Sequence, residues 1–337
     1  MQVEIYNPYG NNTVADTYVA TVEQAFTKLG FDTKQVQSLN RQKKDNETVV
    51  FVVAVKDAII AKIRGYKKVC LWVQGIVPEE SYMRNGNKVR YNLLSLLEKV
   101  GLKCADFCIF VSNAMLEHFK HKYKYKSDKY YIMPCFNSEV GEQDLSSQEK
   151  YQNNVFLYAG SLDVWQCFEQ TAQLYKKIEE IVPDATFRVL TRDKEKAADI
   201  IEKNNISSYS IDFRPSEDMP KEMAKAKFGF SIRQDNKVNL VSTPTKLSTY
   251  ISNGVIPIYS KYISDFNAIA KEMRFAVCVD DSQDNNIEKI KQLCLGEFVG
   301  KEVFQEFKDK FGEYYSRDFH IEKMCESLKN KLIGEKE

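Results

Sequence analysis

Phe228-Gly229-Phe230-Ser231-Ile232-Arg233, a polar connection over 234–241, and then Ser242-Thr243-Pro244-Thr245-Lys246-Leu247-Ser248-Thr249-Tyr250-Ile251-Ser252-Asn253-Gly254-Val255-Ile256-Pro257-Ile258 decide how the chain folds. The first run reads as a strand that ends in an arginine. The second opens as a helix over 246–252, and Pro244 suits its first turn, where a missing N–H costs nothing. A further strand follows over 255–259. Strand, helix and strand in succession call for a parallel sheet covered by helices. The free N–H groups at such a helix start bind anions. Arg233 and Lys246 bring positive charge to the same point, and Thr245 brings a hydroxyl. Together they suit a diphosphate, which Arg233 can grip with two hydrogen bonds. The alternative reading is a capped helix with two solvated cations.

The same alternation extends in both directions. Strands are expected over 155–159, 186–190, 208–213 and 276–279, with helices over 197–203 and 219–226. One helix carries Phe168, Ala172, Tyr175, Ile178 and Val182 on a single face, and two or three helices finish the chain. Earlier, strands are expected over 3–6, 49–55, 69–73, 107–111 and 130–133. Between them lie a helix with Tyr18, Val22, Phe26 and Leu29 on one face, a short helix capped by Asp57, a helix over 93–100, and one N-capped by Ser112. The polar stretch 137–153 is the linker candidate. The expected architecture is therefore α/β, with one domain over 1–148, a second over 149–337, and the terminal helices returning to the first. Two doubly wound domains bind ligands beyond the carboxyl ends of their strands.

A chain of 337 residues suits two domains, and a net charge of +1 gives no general affinity for nucleic acid. The cysteines form no CxxC pair, and Cys104 and Cys108 lack the partners of a zinc set, so buried free thiols are expected. The N-terminus lacks the pattern of a signal peptide, and no apolar run is long enough to span a membrane. A cytoplasmic protein, at most peripheral on the inner face of the cell membrane, is the expectation. The histidines are His118, His121 and His320; the first two are expected on a helix surface, and a histidine base or metal site is not expected.

Arg233, Ser242, Pro244, Thr245, Lys246, Tyr250, Gly254 and Pro257 resemble the donor-binding motif of bacterial GT-B glycosyltransferases of family 4. Thr249 departs from the pattern, which has a glutamate there that contacts the ribose or sugar of the donor. Leu157-Tyr158-Ala159-Gly160-Ser161 is similar to the first strand and turn of the family's nucleotide-binding domain. Arg192 ends the next strand, and Phe213-Arg214-Pro215 lies where the family holds the base; each arginine is alternatively a plain surface residue. In the first domain, Gln74-Gly75 followed by Pro78-Glu79-Glu80 resembles the acceptor-side loop. There Glu79 or Glu80 orients an acceptor hydroxyl or acts as a base, or else caps the next element. Gly10, in the loop 7–12, leaves room for donor or acceptor.

The resemblance implies a GT-B fold, two Rossmann-like doubly wound domains facing across a cleft. It implies transfer of a hexose-type sugar from a UDP- or GDP-linked donor to a glycan or lipid-linked glycan, with retention, without a metal, in bacterial surface polysaccharide synthesis. Arg233, Lys246 and Glu80 form the implied catalytic set. Gly160, Ser161, Arg192, Arg214, Ser242, Thr245 and Tyr250 form the donor set, and Gly10, Gln74, Gly75 and Glu79 the acceptor side. The rivals are a nucleotide-sugar epimerase on the same fold and a subunit that binds without turnover because of Thr249. The basic run from Lys120 to Lys129, interleaved with tyrosines, can rest on anionic headgroups or be a solvated helix end.

Overall fold

A computed structural model describes residues 2–8, 15–42, 47–140, 148–279 and 283–334. The chain forms two compact units, 1–135 with 316–337, and 136–315. The first unit holds β1 (Gln2–Tyr6), α1 (Ala15–Lys28), β2 (Asp32–Val36), β3 (Val49–Val52), α2 (Val55–Ile63), β4 (Lys68–Val73), α3 (Val77–Asn85), α4 (Lys88–Cys104), β5 (Phe107–Phe110), α5 (Asn113–Tyr123) and β6 (Tyr130–Ile132). Its sheet is parallel, in the order β2-β1-β3-β4-β5-β6. β3, β4 and β5 are buried on both faces, as their continuous apolar runs require. Ser112 caps α5 by accepting from Met115 N–H at 3.0 Å. Asp57 does not cap α2. It lies inside the first turn, buried, and burial raises its carboxyl, while the N-cap is Ala54.

The second unit holds β7 (Val155–Ala159), α6 (Phe168–Ile181), β8 (Thr186–Leu190), α7 (Lys194–Lys203), β9 (Tyr209–Asp212), α8 (Met219–Met223), β10 (Phe228–Ser231), α9 (Lys237–Val241), α10 (Thr245–Ser252), β11 (Ile256–Ser260), α11 (Ser264–Ala270), β12 (Val277–Val279), α12 (Gln283–Leu295) and α13 (Gly300–Phe311). Its strands are parallel, in the order β12-β11-β10-β7-β8-β9. The chain winds outward from β7 through β8 to β9, then crosses to β10 on the other side. The reversal leaves a crevice between the carboxyl ends of β7 and β10, the place where open α/β sheets bind ligands. Stacked rings fill the core beneath it, Phe156 on Phe228 and Tyr175 on Phe187, each at 4.6 Å.

Two boundaries differ from the sequence expectation. The stretch from 136 packs with the second unit, because Asn137 bonds Ser248, and Tyr151 Oη donates to Gly254 O at 2.6 Å. The connection after Arg233 contains α9, whose cap Asn236 accepts from Asn239 N–H at 2.9 Å. The last helix, α14 (Arg317–Leu328), packs on α1 of the first unit, where Lys28 pairs with Glu322 at 3.3 Å.

Candidate functional site

Four sequence-predicted residues fall in one line along the carboxyl edge of the second sheet. Arg233 follows β10, Gly160 follows β7, Arg192 follows β8 and Arg214 follows β9. Adjacent strands lie about 4.8 Å apart, so the line runs outward from the crevice in even steps. Lys246, in the first turn of α10, reaches the same crevice.

Two cations meet there. Arg233 is 5% exposed, its backbone fixed by Ser260 Oγ, which accepts its N–H at 2.8 Å. Its guanidinium donates to Gln166 Oε1 at 2.8 Å, Gln166 O at 3.3 Å and Ile232 O at 2.9 Å. Lys246 is partly buried as a residue, and its Nζ is inaccessible and has no hydrogen-bond partner among the described residues. The ammonium sits 4.3 Å from the centre of the Tyr158 ring. Burial pulls it well below the usual lysine range, and the neighbouring Arg233 charge adds to that. Burial likewise lowers Arg233. Neither cation has a carboxylate in ion-pair range among the described residues. Gly160 closes the other side at φ +142°, where a Cβ would stand 3.3 Å from Lys246 Nζ. Only glycine adopts that conformation readily and leaves the ammonium uncovered by a side chain.

The remaining donor candidates take different places. Pro244 is the N-cap of α10, one residue before the helix, and its carbonyl accepts from Leu247 N–H. Thr245 O accepts the Ser248 and Thr249 hydroxyls, while Ser242 Oγ donates to Asn239 O at 2.9 Å. Ser161 is exposed and bonds Asp163 at 3.0 Å. Arg192 stacks on Phe213 at 5.0 Å, and Arg214 pairs with Asp212 at 2.6 Å. Tyr250 differs from the expectation of a ligand contact. It is fully buried, its ring filling the space that Gly229 leaves. Thr249, where the family motif has glutamate, donates to Asn137 Oδ1 at 2.8 Å. Sequence reading quoted the run that holds Tyr158 without assigning that ring a role, and it missed Gln166 and Asn137, which come from elements distant in the chain and carry no motif of their own.

In the first unit, Gly10 lies outside the described residues. Gln74 is exposed, with Nε2 3.3 Å from Val53 O. Glu80 caps α3, accepting Ile76 N–H at 3.1 Å, and its carboxylate occupies the space beside Gly75 where a Cβ would be. Burial raises the Glu80 carboxyl, and the Ile76 bond works against that. Glu79 is buried in a polar cluster, with Lys122 Nζ at 2.8 Å, His118 Nε2 at 3.4 Å and Tyr91 Oη at 3.2 Å. Burial alone would raise its carboxyl, but His118 and Lys122 outweigh that and hold it at about 2. Beside it, burial pushes Glu98 up to about 7 even though Tyr123 donates to it. His118 therefore faces inward, contrary to the surface position expected for it. Lys122 is partly buried in this cluster, and Lys120 pairs with Glu117, so the run from Lys120 to Lys129 is not a uniformly free basic stretch. Among the described residues no group of His, Cys, Asp and Glu could hold a metal ion.

No family model and no curated protein matches this sequence. Solved structures do match it in fold. WaaG, a glycosyltransferase involved in lipopolysaccharide biosynthesis, aligns at 12% identity over 98% of this chain and 100% of its own, with a TM-score of 0.61. Sucrose-phosphate synthase from Thermosynechococcus elongatus aligns at 10% identity over 96% and 97%, with a TM-score of 0.67. A TarM variant from S. aureus, solved with UDP, aligns at 10% identity and a TM-score of 0.63; 86% of this chain is covered but only 56% of TarM. The fold is that of the GT-B glycosyltransferases, two α/β units with parallel sheets.

Proposed function

We propose that the protein is a glycosyltransferase that takes a hexose-type sugar from a nucleoside-diphosphate sugar, UDP- or GDP-linked, and delivers it to a glycan or lipid-linked glycan. The observation that carries this reading is the Lys246 ammonium, buried without a hydrogen-bond partner among the described residues, beside Arg233 at the crevice of the second sheet. Two buried cations without a carboxylate are costly unless an anion joins them. A diphosphate supplies that anion. A rotation of the Lys246 side chain off the Tyr158 ring would bring the ammonium to a phosphate at the N-terminus of α10. Arg233, already held by Gln166, receives the same group. As the bond from sugar to diphosphate breaks, negative charge grows on the leaving oxygens. Arg233, Lys246 and the α10 N–H groups stabilise it there. Two cations balance the developing charge without a metal. The carboxylates of Glu79 and Glu80 already serve the first unit internally, which favours retention, where the leaving phosphate takes the acceptor's proton. A family 4 enzyme of bacterial surface polysaccharide synthesis, cytoplasmic and working on a membrane-borne acceptor, goes with this reading.

The test is release of nucleoside diphosphate from a panel of nucleotide-sugars, with and without glycan acceptors. Release that is lost in Lys246→Ala supports transfer. Conversion of the donor without release would instead assign an epimerase. Binding without turnover across the acceptor panel would assign a partner subunit, consistent with Thr249 in place of glutamate.

A further inference from the structure

α4 is turned inside out. Its apolar residues Val89, Leu93, Leu96, Leu97 and Val100 face solvent, with Val89 72% exposed and Leu93 and Leu96 each 60%. At about 100° per residue they form a stripe about 100° wide. The opposite face is the one that packs, and besides Leu102 it carries polar groups. Glu98 accepts from Tyr123 Oη at 2.7 Å, and Tyr91 Oη reaches Glu79. Gly101 fixes the orientation, since a Cβ there would meet the Val55 carbonyl oxygen at 2.5 Å. Rolling the leucines inward would expel this polar cluster, so the exposure is built into the packing. α2, which packs on α4, adds exposed Ile60 and Ile63.

The charges around the stripe have one sign. Lys88, Lys99 and Lys103 flank it on one side and Arg90 on the other, all exposed. Across residues 55–104 every exposed charged residue is Lys or Arg, while Asp57, Glu79 and Glu98 are buried and Glu80 is partly covered at the start of α3. An aliphatic stripe edged with basic residues is the pattern of a helix lying in the plane of an anionic lipid surface. With 17 residues α4 is about 25 Å long, and no helix among the described residues is long and apolar enough to cross a membrane. A second copy of the chain fits poorly, because a symmetric contact would set like charges against each other. Protein partners are also disfavoured, since protein interfaces are depleted in lysine and enriched in aromatic residues.

We propose that the exposed face of α4 docks the protein on an anionic bilayer, with its leucines among the acyl chains and its lysines at the headgroups. This surface does not depend on the nucleotide-sugar reading, and it places the lipid contact on α4 rather than on the run from Lys120 to Lys129.

Cosedimentation of the full chain with phosphatidylcholine vesicles, with and without phosphatidylglycerol, tests it. Binding is expected only with phosphatidylglycerol and weakens with salt. Leu93→Ser with Leu97→Ser should reduce partitioning about tenfold or more. Lys99→Glu with Lys103→Glu should cost about fivefold or more per reversed charge. Both pairs are exposed, so an unchanged melting temperature confirms that the variants fold. Lys124→Glu with Lys126→Glu and Lys129→Glu should change binding less than about threefold. The proposal is overturned if the folded chain ignores anionic vesicles, or if binding survives both α4 variants. It is equally overturned if the chain self-associates and the leucine pair abolishes that, which would assign the face to a second copy.

Discussion

Replacing Lys246 with methionine should make the free protein more stable while removing its ligand. In the free state the ammonium has no hydrogen-bond partner among the described residues, and the Tyr158 ring at 4.3 Å is the close contact that offsets its burial. A desolvated cation over an aromatic ring recovers about 2 kcal/mol. Exchanging a buried ionic group for an apolar one of similar volume stabilises proteins by about 1–4 kcal/mol, and methionine sulfur packs well against a ring. At about 2–4 °C per kcal/mol for a domain of this size, Lys246→Met should melt about 2–16 °C above wild type. Arg233→Met should move the other way. Its guanidinium satisfies Gln166 Oε1, Gln166 O and Ile232 O, and orphaning them costs at least about 2 kcal/mol. The pH dependence has a definite sign. Folding lowers the Lys246 pKa from its ordinary 10.5, so between the two values the unfolded chain binds more protons and stability rises with pH. That slope should be absent in Lys246→Met. Differential scanning fluorimetry across a pH series reads all of this. A Lys246→Met protein that melts below wild type would refute the unpartnered-cation argument.

Three further outcomes follow from the packing. Gly160→Ala forces a side chain into φ +142° and against Lys246 Nζ, so it should cost about 1–3 kcal/mol in urea unfolding and weaken diphosphate binding. Gly101→Ala drives a Cβ into the Val55 carbonyl and should cost about 1–3 kcal/mol by the same measurement. Glu98 titrates at about 7 in the fold against an ordinary 4.5, so the native state holds the extra proton and stability falls as pH rises through that window. Glu98→Gln should remove that fall and exceed wild type by up to about 3 kcal/mol above it, as read by melts at graded pH.

The alternation of strand and helix was legible because β3, β4, β5 and β7 are buried runs whose apolar residues sit together in the chain. β2 was not. Asp32-Thr33-Lys34-Gln35-Val36 is a polar edge strand held by its pairing with β1. Periodicity marked α4 as a helix but could not show that its leucines face outward, since that depends on Glu98 finding Tyr123 and Lys122 from α5. The motif holds Arg233 and Lys246, which the fold places side by side, yet it also carries Tyr250, which is a core residue beneath the crevice. Motif membership reports position along a helix and not which side of it meets a ligand. The extent of the second unit escaped composition because its start is set by contacts between residues far apart in the chain, with Phe136 packed against Tyr315 in the second core. Asn137 accepts from both Ser248 and Thr249 across more than a hundred residues of chain.

Isothermal titration of UDP, GDP, CDP and ADP into wild type, Lys246→Ala and Arg233→Ala tests the central claim most directly. Saturable binding of one diphosphate to wild type, lost in both variants while they remain folded, is the predicted result. No binding of any diphosphate to folded wild type, or binding that persists in both variants, would contradict the donor site at Arg233 and Lys246.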